Sequence, residues 1–128
     1  MCEPPHPRRT TLEHRCTDVS AKHSTASARG AEAQGDAARA RRHLERAHVL
    51  SQAHAWLHVR VHGRMLALAW RRGEAREVAG QLPRLLLAAP GSWTGRAPRG
   101  NTGGADVGIF TPMEVPADLA ALLDPGHD

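Results

Sequence analysis

Histidine is the residue type in this sequence whose number and spacing could support chemistry. The 128-residue chain has nine histidines, and five of them lie close together: His43, His48, His54, His58 and His62. His58 and His62 are four residues apart, so on an α-helix their side chains lie on the same face. Two imidazoles at this spacing are a common ligand pair for zinc, copper or nickel. The pair predicts a metal site that needs at least one further ligand.

The third ligand is predicted from the packing of the preceding helix. If the two helices form an antiparallel hairpin that turns at residues 51–53, residues that lie level with each other have numbers summing to about 105. His62 is then level with His43, and His58 with Ala47. We therefore predict that His43, His58 and His62 bind a zinc, copper or nickel ion.

Glu45, His48 and His54 are predicted to be secondary polar residues near this site. His48 projects away from His43 on its own helix, so one ion is not expected to bind both. The alternative is that these imidazoles are buried without an ion and bond to Glu45, Ser51, Gln52 or backbone carbonyls.

The helix that carries His58 and His62 is predicted to span about Ala53–Arg72. On this helix the two histidines lie opposite the arginines at positions 60, 64 and 71, with apolar residues on both sides. We therefore expect both imidazoles to be buried and to face the preceding helix near His43.

The rest of the sequence predicts an all-α fold of two stacked helical hairpins. Gly35-Asp36 and Gly73-Glu74 are each followed by small or apolar residues at matching offsets: Ala40, Leu44 and Ala47, and then Val78, Leu82 and Leu85. Units of this kind resemble tetratricopeptide hairpins, which repeat every 34 residues or so. The predicted helices are Asp18–Gln34, Asp36–Ser51, Ala53–Arg72 and Glu74–Ala89, the last one kinked at Pro83 and ended by Pro90-Gly91.

Three segments follow from this pattern. Residues 1–17 contain three prolines and no apolar periodicity, so we expect a disordered tail. Residues 18–90 form the hairpin domain. Residues 91–128 form a strap rich in glycine and proline, with a short last helix at Ala117–Leu123 that Pro116 starts.

The glycine-rich stretch of the strap is a candidate anion-binding loop. Its backbone N–H groups, with Arg96, Arg99, Asn101 and Thr102, could hold a negatively charged group. It is not a P-loop, because Asn101-Thr102 stands where Lys-Ser/Thr is required. The alternative is a tight connection in which Asn101 and the glycines serve only the turns.

Composition narrows the class of protein. The net charge is +4, but aromatic residues make up only 3%, which does not favour nucleic-acid binding through stacked bases. No apolar run is long enough to span a membrane, and the first residues do not resemble a signal peptide. With only two cysteines, a cytoplasmic protein is expected.

Three stretches together resemble a bacterial family catalogued as domain of unknown function 3703. They are residues 43–50, residues 58–62, and Gly100–Gly104 followed by Pro112-Met113 and residues 116–119. The resemblance covers roughly residues 28–124 and departs from the family at Pro83. It implies no activity, and its pattern maps onto His43, Glu45, His48, His58, His62, Gln81, Arg96, Asn101 and Thr102.

Two functional hypotheses follow. The first is a small cytosolic helical interaction module that binds a protein partner or a second copy of itself. The second is a histidine-based protein that binds or responds to a transition metal. An enzyme has less support, because no nucleophile or substrate cleft can be identified from the sequence.

Overall fold

The computed structural model describes the backbone of residues 9–124 and the side chains of residues 15–124. This part of the chain contains helices and no strand, which confirms the predicted all-α class. The helices are α1 (Arg9–Ala33), α2 (Ala37–Ser51), α3 (Ala55–Arg71), α4 (Ala75–Trp93) and α5 (Ala117–Leu123). None of them is both long and apolar enough to cross a membrane.

Helix α1 begins earlier than the sequence predicts. Residues 9–17 were expected to belong to a disordered tail, but they form the first turns of this helix, while residues 1–8 lie outside the described residues. Thr17 is buried, and its hydroxyl lies 2.9 Å from Nε2 of His54. Through this contact α1 packs against the start of α3 before Asp18, the residue at which the helix was predicted to begin.

Helix α4 ends later than the sequence predicts. It continues through Pro90 to Trp93, so the predicted end at Ala89 is wrong. A proline removes one N–H, and here the last turn is held by other bonds. The Ser92 hydroxyl donates to the carbonyl of Gln52, and the Thr94 N–H donates to the carbonyl of Pro90. The kink at Pro83 stays a prediction.

The two predicted glycine turns are built alike. Gly35 has φ +76° and Gly73 has φ +66°, a left-handed conformation that glycine adopts without steric cost. After each glycine, the N–H of the acidic residue bonds back to the preceding helix, Asp36 to Ala31 and Glu74 to Ala69. Helix α1 packs on α2 and α3 packs on α4, consistent with two helical hairpins. The tetratricopeptide likeness stays a prediction.

The apolar core consists of two clusters. One lies between α1, α2 and α3, and it is rich in alanine, which lets the helices approach closely. Its members are Ala28, Ala31, Ala40, Leu44, Ala47, Val61, Met65 and Leu68. The other joins α5 to the middle of α1, the end of α2 and the start of α3 through Ala21, Val49, Leu50, Leu57 and Leu119.

In the structure the strap is limited to residues 94–116, between α4 and α5. The buried side chain of Asn101 holds it in place. Its amide donates to the carbonyls of Gly108 and Thr111 at 2.8 and 2.7 Å, and its side-chain oxygen accepts from the N–H of Gly103. The strap therefore has a fixed course although it has no regular secondary structure.

Candidate metal centre

Three imidazoles meet in the interior between α2 and α3. His48 comes from the last turn of α2, and His58 and His62 lie one turn apart on α3. The Nε2 atom of His48 is 2.9 Å from that of His58 and 3.0 Å from that of His62, and the remaining pair is 3.2 Å apart. In the part of the chain that the structure describes, no other trio of His, Cys, Asp or Glu could converge on one ion.

The predicted burial of His58 and His62 is confirmed. Their exposed fractions are 4% and 3%, and that of His48 is 3%. Both α3 imidazoles face α2, as the apolar face of the helix indicated.

His43, the predicted third ligand, does not lie with the other two imidazoles. It lies apart from the other two on the arginine-rich side of α2, where burial first, and then the charges of Arg39, Arg46 and Arg42, lower its pKa. His48 takes its place. The hairpin rule put His43 level with His62 and Ala47 level with His58, whereas in the structure the His48 imidazole meets both rings.

The protonation of His48 is fixed by the strap. Its Nδ1 lies 2.7 Å from the backbone carbonyl of Asn101. A carbonyl only accepts, so in the neutral ring Nδ1 carries the proton and Nε2 carries the lone pair. Gly103 lies against the face of this ring, where an added Cβ would come within 2.7 Å of it. The strap thus sets both the tautomer and the position of the imidazole.

The protonation of His58 is fixed by α4. Its Nδ1 is 2.8 Å from the Ser92 hydroxyl and 3.1 Å from the carbonyl of Ala88. Since the Ser92 hydrogen is donated to Gln52, its oxygen can accept from His58. Both neighbours are therefore acceptors, and the proton lies on Nδ1.

His62 follows the same rule through Gln81, a fully buried side chain of α4. The Gln81 amide nitrogen donates to the carbonyl of Gly103 and to a Glu77 carboxylate oxygen, each at 2.8 Å. These acceptors fix the orientation of the amide, so its oxygen faces His62 Nδ1 at 2.8 Å and accepts from it. The proton of His62 is therefore also on Nδ1.

The consequence is that three Nε2 lone pairs point at one another with no hydrogen between them. Three mutually facing acceptors at hydrogen-bond distance repel unless a cation compensates them. A proton is disfavoured there at neutral pH, because burial lowers the pKa of all three imidazoles, that of His58 to about 4. The arrangement suits a metal ion.

The spacing also fits such an ion. Zinc binds imidazole nitrogen at about 2.0–2.1 Å, which would place it about 1 Å from the plane of the three Nε2 atoms. The fourth tetrahedral position then stays open. The hydrogen bonds at Nδ1 are of the kind that orient imidazole ligands in metal sites and raise their basicity.

The three histidines form part of the wall of a cavity of about 250 Å³ between α3, α4 and the strap. Its other walls combine apolar side chains with two arginines: Leu87, Ala88, Ile109, Phe110, Arg84 and Arg96. Arg84 is buried, and it lies near enough to His48 and His62 for its charge to lower their pKa. A ligand on the metal would enter a space that is partly apolar and positively charged.

The remaining predicted site residues are dispersed. Glu45 is half-buried away from the trio, and burial is the main cause of its raised pKa. His54 is the N-cap residue of α3 and contacts Thr17. Of the loop residues, Arg96 and Asn101 line the cavity, whereas Arg99 forms an ion pair with Asp124 and Thr102 is half-buried outside it.

Two side chains of the site escaped the reasoning from the residues alone. Arg84 and Ser92 were not singled out, and Gln81 entered only through the family pattern. Gln81, Arg84 and Ala88 are spaced by three and four residues, which places them on one face of α4. The polar residues Glu77, Gln81 and Arg84 have the same helical spacing, and this is the signal in the sequence that could have indicated the face.

The sequence matches one protein-family model over most of its length. The family model described as "Protein of unknown function (DUF3703)" matches residues 17–123. No curated protein and no solved structure matched the chain.

Proposed function

The chain belongs to this family of unknown function, and we propose that it is a transition-metal-binding protein in which His48, His58 and His62 bind the ion through Nε2. The observation that supports the proposal is the convergence of three Nε2 lone pairs. Each is set in place by an acceptor on the opposite side of its ring, namely Asn101, Ser92 with Ala88, and Gln81.

The ligand set selects the class of ion. Three neutral imidazoles suit zinc, copper or nickel, whereas magnesium and calcium prefer oxygen ligands. Structural zinc sites have four protein ligands, while zinc sites that bind water or substrate have three. Three histidines facing a cavity therefore favour zinc with one exchangeable ligand.

The proposal is tested by competition for Zn²⁺ with a chromophoric chelator at pH 7.5. We expect one ion per chain, and a loss of affinity of at least about 100-fold in His58→Ala, since even groups outside the ligand set change affinity 10–100-fold. His43→Ala is the matched control, because it removes an imidazole that lies outside the trio. Copper and nickel are tested in the same way.

A second measurement avoids dependence on variants that fold poorly. In two-dimensional histidine ¹⁵N spectra, added Zn²⁺ should shift three Nε2 resonances while the Nδ1 protons of the same rings are retained. Equal zinc affinity in the parent and in His58→Ala, or no shift of these resonances, would contradict the proposal.

The exposed face of α4 favours a second candidate, an interaction module. Leu82, Leu86 and Trp93 are 52%, 79% and 77% exposed, and large apolar side chains in one area often mark a binding surface. We propose a protein partner or a second copy for this face, and the cytoplasm as the compartment. Light scattering of the parent beside Leu86→Glu tests self-association, since a dimer should dissociate in the variant, and an equal mass for both would exclude a copy at this face.

A further inference from the structure

The cavity beside the histidine trio is lined by a largely buried arginine, Arg84, whose hydrogen bonds go to backbone carbonyls. Arg84 is only 7% exposed. Its guanidinium donates to the carbonyl of Gly80 at 2.7 Å and to the carbonyl of Val107. Among the described residues no carboxylate lies within ion-pair distance of it, although Glu77 and Asp106 are near enough to act on its charge. Two carbonyls satisfy hydrogen bonds without neutralising the charge.

A metal ion on the trio would add to this positive charge. The three ligands are neutral imidazoles, so a divalent ion would keep its full charge, in the same interior as the Arg84 guanidinium. Charges of the same sign repel strongly in a medium of low dielectric constant. An anion shared by the ion and the guanidinium would relieve this repulsion.

The remaining residues of the cavity wall indicate the size and polarity of the rest of the ligand. Leu87, Ala88, Ile109 and Phe110 are apolar and line part of a space of about 250 Å³, at whose open side Phe110 is 74% exposed. Arg96 is the other arginine of the lining and is exposed to solvent. A space of this size and character fits a ring or a short chain rather than a polar body.

We infer that the cavity binds a small organic carboxylate, with its carboxylate between Arg84 and the open position of the metal and its apolar body against Leu87, Ile109 and Phe110. The contact between the carboxylate and the metal rests on the proposed function. The Arg84 contact and the apolar contacts are independent of the metal.

Cobalt(II) in place of zinc makes the ligand visible, because its absorption bands respond to a change of the fourth ligand. The protein loaded with Co²⁺ is titrated with benzoate, benzyl alcohol and acetate. We expect saturable binding of benzoate, at least about tenfold tighter than benzyl alcohol, which lacks the charge, and than acetate, which lacks the apolar body.

Variants assign the contacts. Arg84→Met should weaken benzoate at least about tenfold while the Co²⁺ bands persist, and Phe110→Ala should weaken benzoate more than acetate. Arg60→Met is the control for net charge, since Arg60 is exposed and does not line the cavity. If Arg84→Met does not fold, Arg84→Lys and the three ligands on the parent protein still decide the result.

The two proposals fail in different ways. Absence of Co²⁺ bands, or their persistence in His58→Ala, contradicts the metal site, and benzoate is then measured by calorimetry on the metal-free protein. Binding there that Arg84→Met abolishes supports the anion site by itself. The inference is overturned if benzoate binds to neither form, if benzyl alcohol binds as tightly as benzoate, or if folded Arg84→Met binds benzoate like the parent.

Discussion

Helices α2 and α4 follow equivalent glycine turns, yet the residues at matched positions of the two helices differ in burial. Helix α2 buries Ala40, Leu44 and Ala47 in the apolar core. At the equivalent position to Leu44, Leu82 in α4 is 52% exposed, and the residues that α4 buries are Gln81, Arg84 and Ala88. The same turn therefore starts two helices whose inward faces have different chemistry.

This difference indicates that the two helices contribute differently to the apolar core and to the histidine site. Helix α2 supplies His48 and, along the rest of its buried face, mainly apolar contacts, which stabilise the fold in proportion to the area removed from water. Helix α4 supplies Gln81, Ser92 and the Ala88 carbonyl, which fix two of the three imidazoles. A polar interior is tolerated when its groups are bonded, and departures from apolar patterning are typical of functional sites.

The largest expected effect compares matched leucines. Leu44→Ala should lower the free energy of unfolding by about 2–5 kcal/mol, because it leaves a cavity in the α1–α2–α3 cluster. Leu82→Ala, the same change at the equivalent position, should alter it by about 0.5 kcal/mol or less. Urea denaturation of both variants measures the difference. Equal losses would show that α4 buries its leucines after all.

Acid tests the polar interior. Burial lowers the pKa of His58 to about 4, whereas the unfolded chain takes up this proton below about pH 6.5. In the metal-free protein, neutral His58 should therefore make its full contribution to the free energy of unfolding above pH 6.5. This free energy should fall by up to about 3 kcal/mol as the pH falls towards 4. The lowered pKa values of His48 and His62 act in the same direction.

Denaturation at a series of pH values measures this loss. In His58→Ala the slope of the unfolding free energy against pH should be smaller, because one of the titrating groups is absent. An unchanged slope in the variant would assign the acid sensitivity to other groups.

The smallest effect concerns the amide that holds His62. Gln81→Met keeps a similar shape but leaves the His62 Nδ1–H and the Gly103 carbonyl without partners, which should cost about 1–3 kcal/mol. Zinc affinity should also fall about 10–100-fold. Gln34→Met, at an exposed position after α1, is the control and should change neither. Wild-type zinc affinity in Gln81→Met would show that the amide does not orient the ligand.

Much of the fold could be predicted from local signals. Gly35 and Gly73 stop their helices because each adopts a left-handed conformation, and Pro116 precedes a last helix with the predicted bounds Ala117–Leu123. The burial of His58 and His62 followed from the apolar residues around them. These features depend on neighbours in sequence, which is why they could be predicted.

The parts that could not be predicted depend on contacts across the molecule. The choice between His43 and His48 depends on how α2 packs against α3, which the hairpin rule did not capture. The end of α4 depends on Ser92 bonding to Gln52, a residue distant in sequence. The repeat matched Leu82 with Leu44, but apolar patterning does not reveal that α4 turns Gln81 and Arg84 inward instead.

The bond from the Asn101 carbonyl to His48 makes the strap part of the coordination chemistry although none of its side chains belongs to the trio. If the trio binds the proposed ion, metal uptake and the ordering of the strap are thermodynamically coupled, and such coupling is reciprocal. A change that orders the strap would raise the affinity for the ion, and by the same factor the bound ion would favour the ordered strap. Amide hydrogen exchange at Gly103 and its neighbours would then report occupancy of a site to which the strap contributes no side-chain ligand.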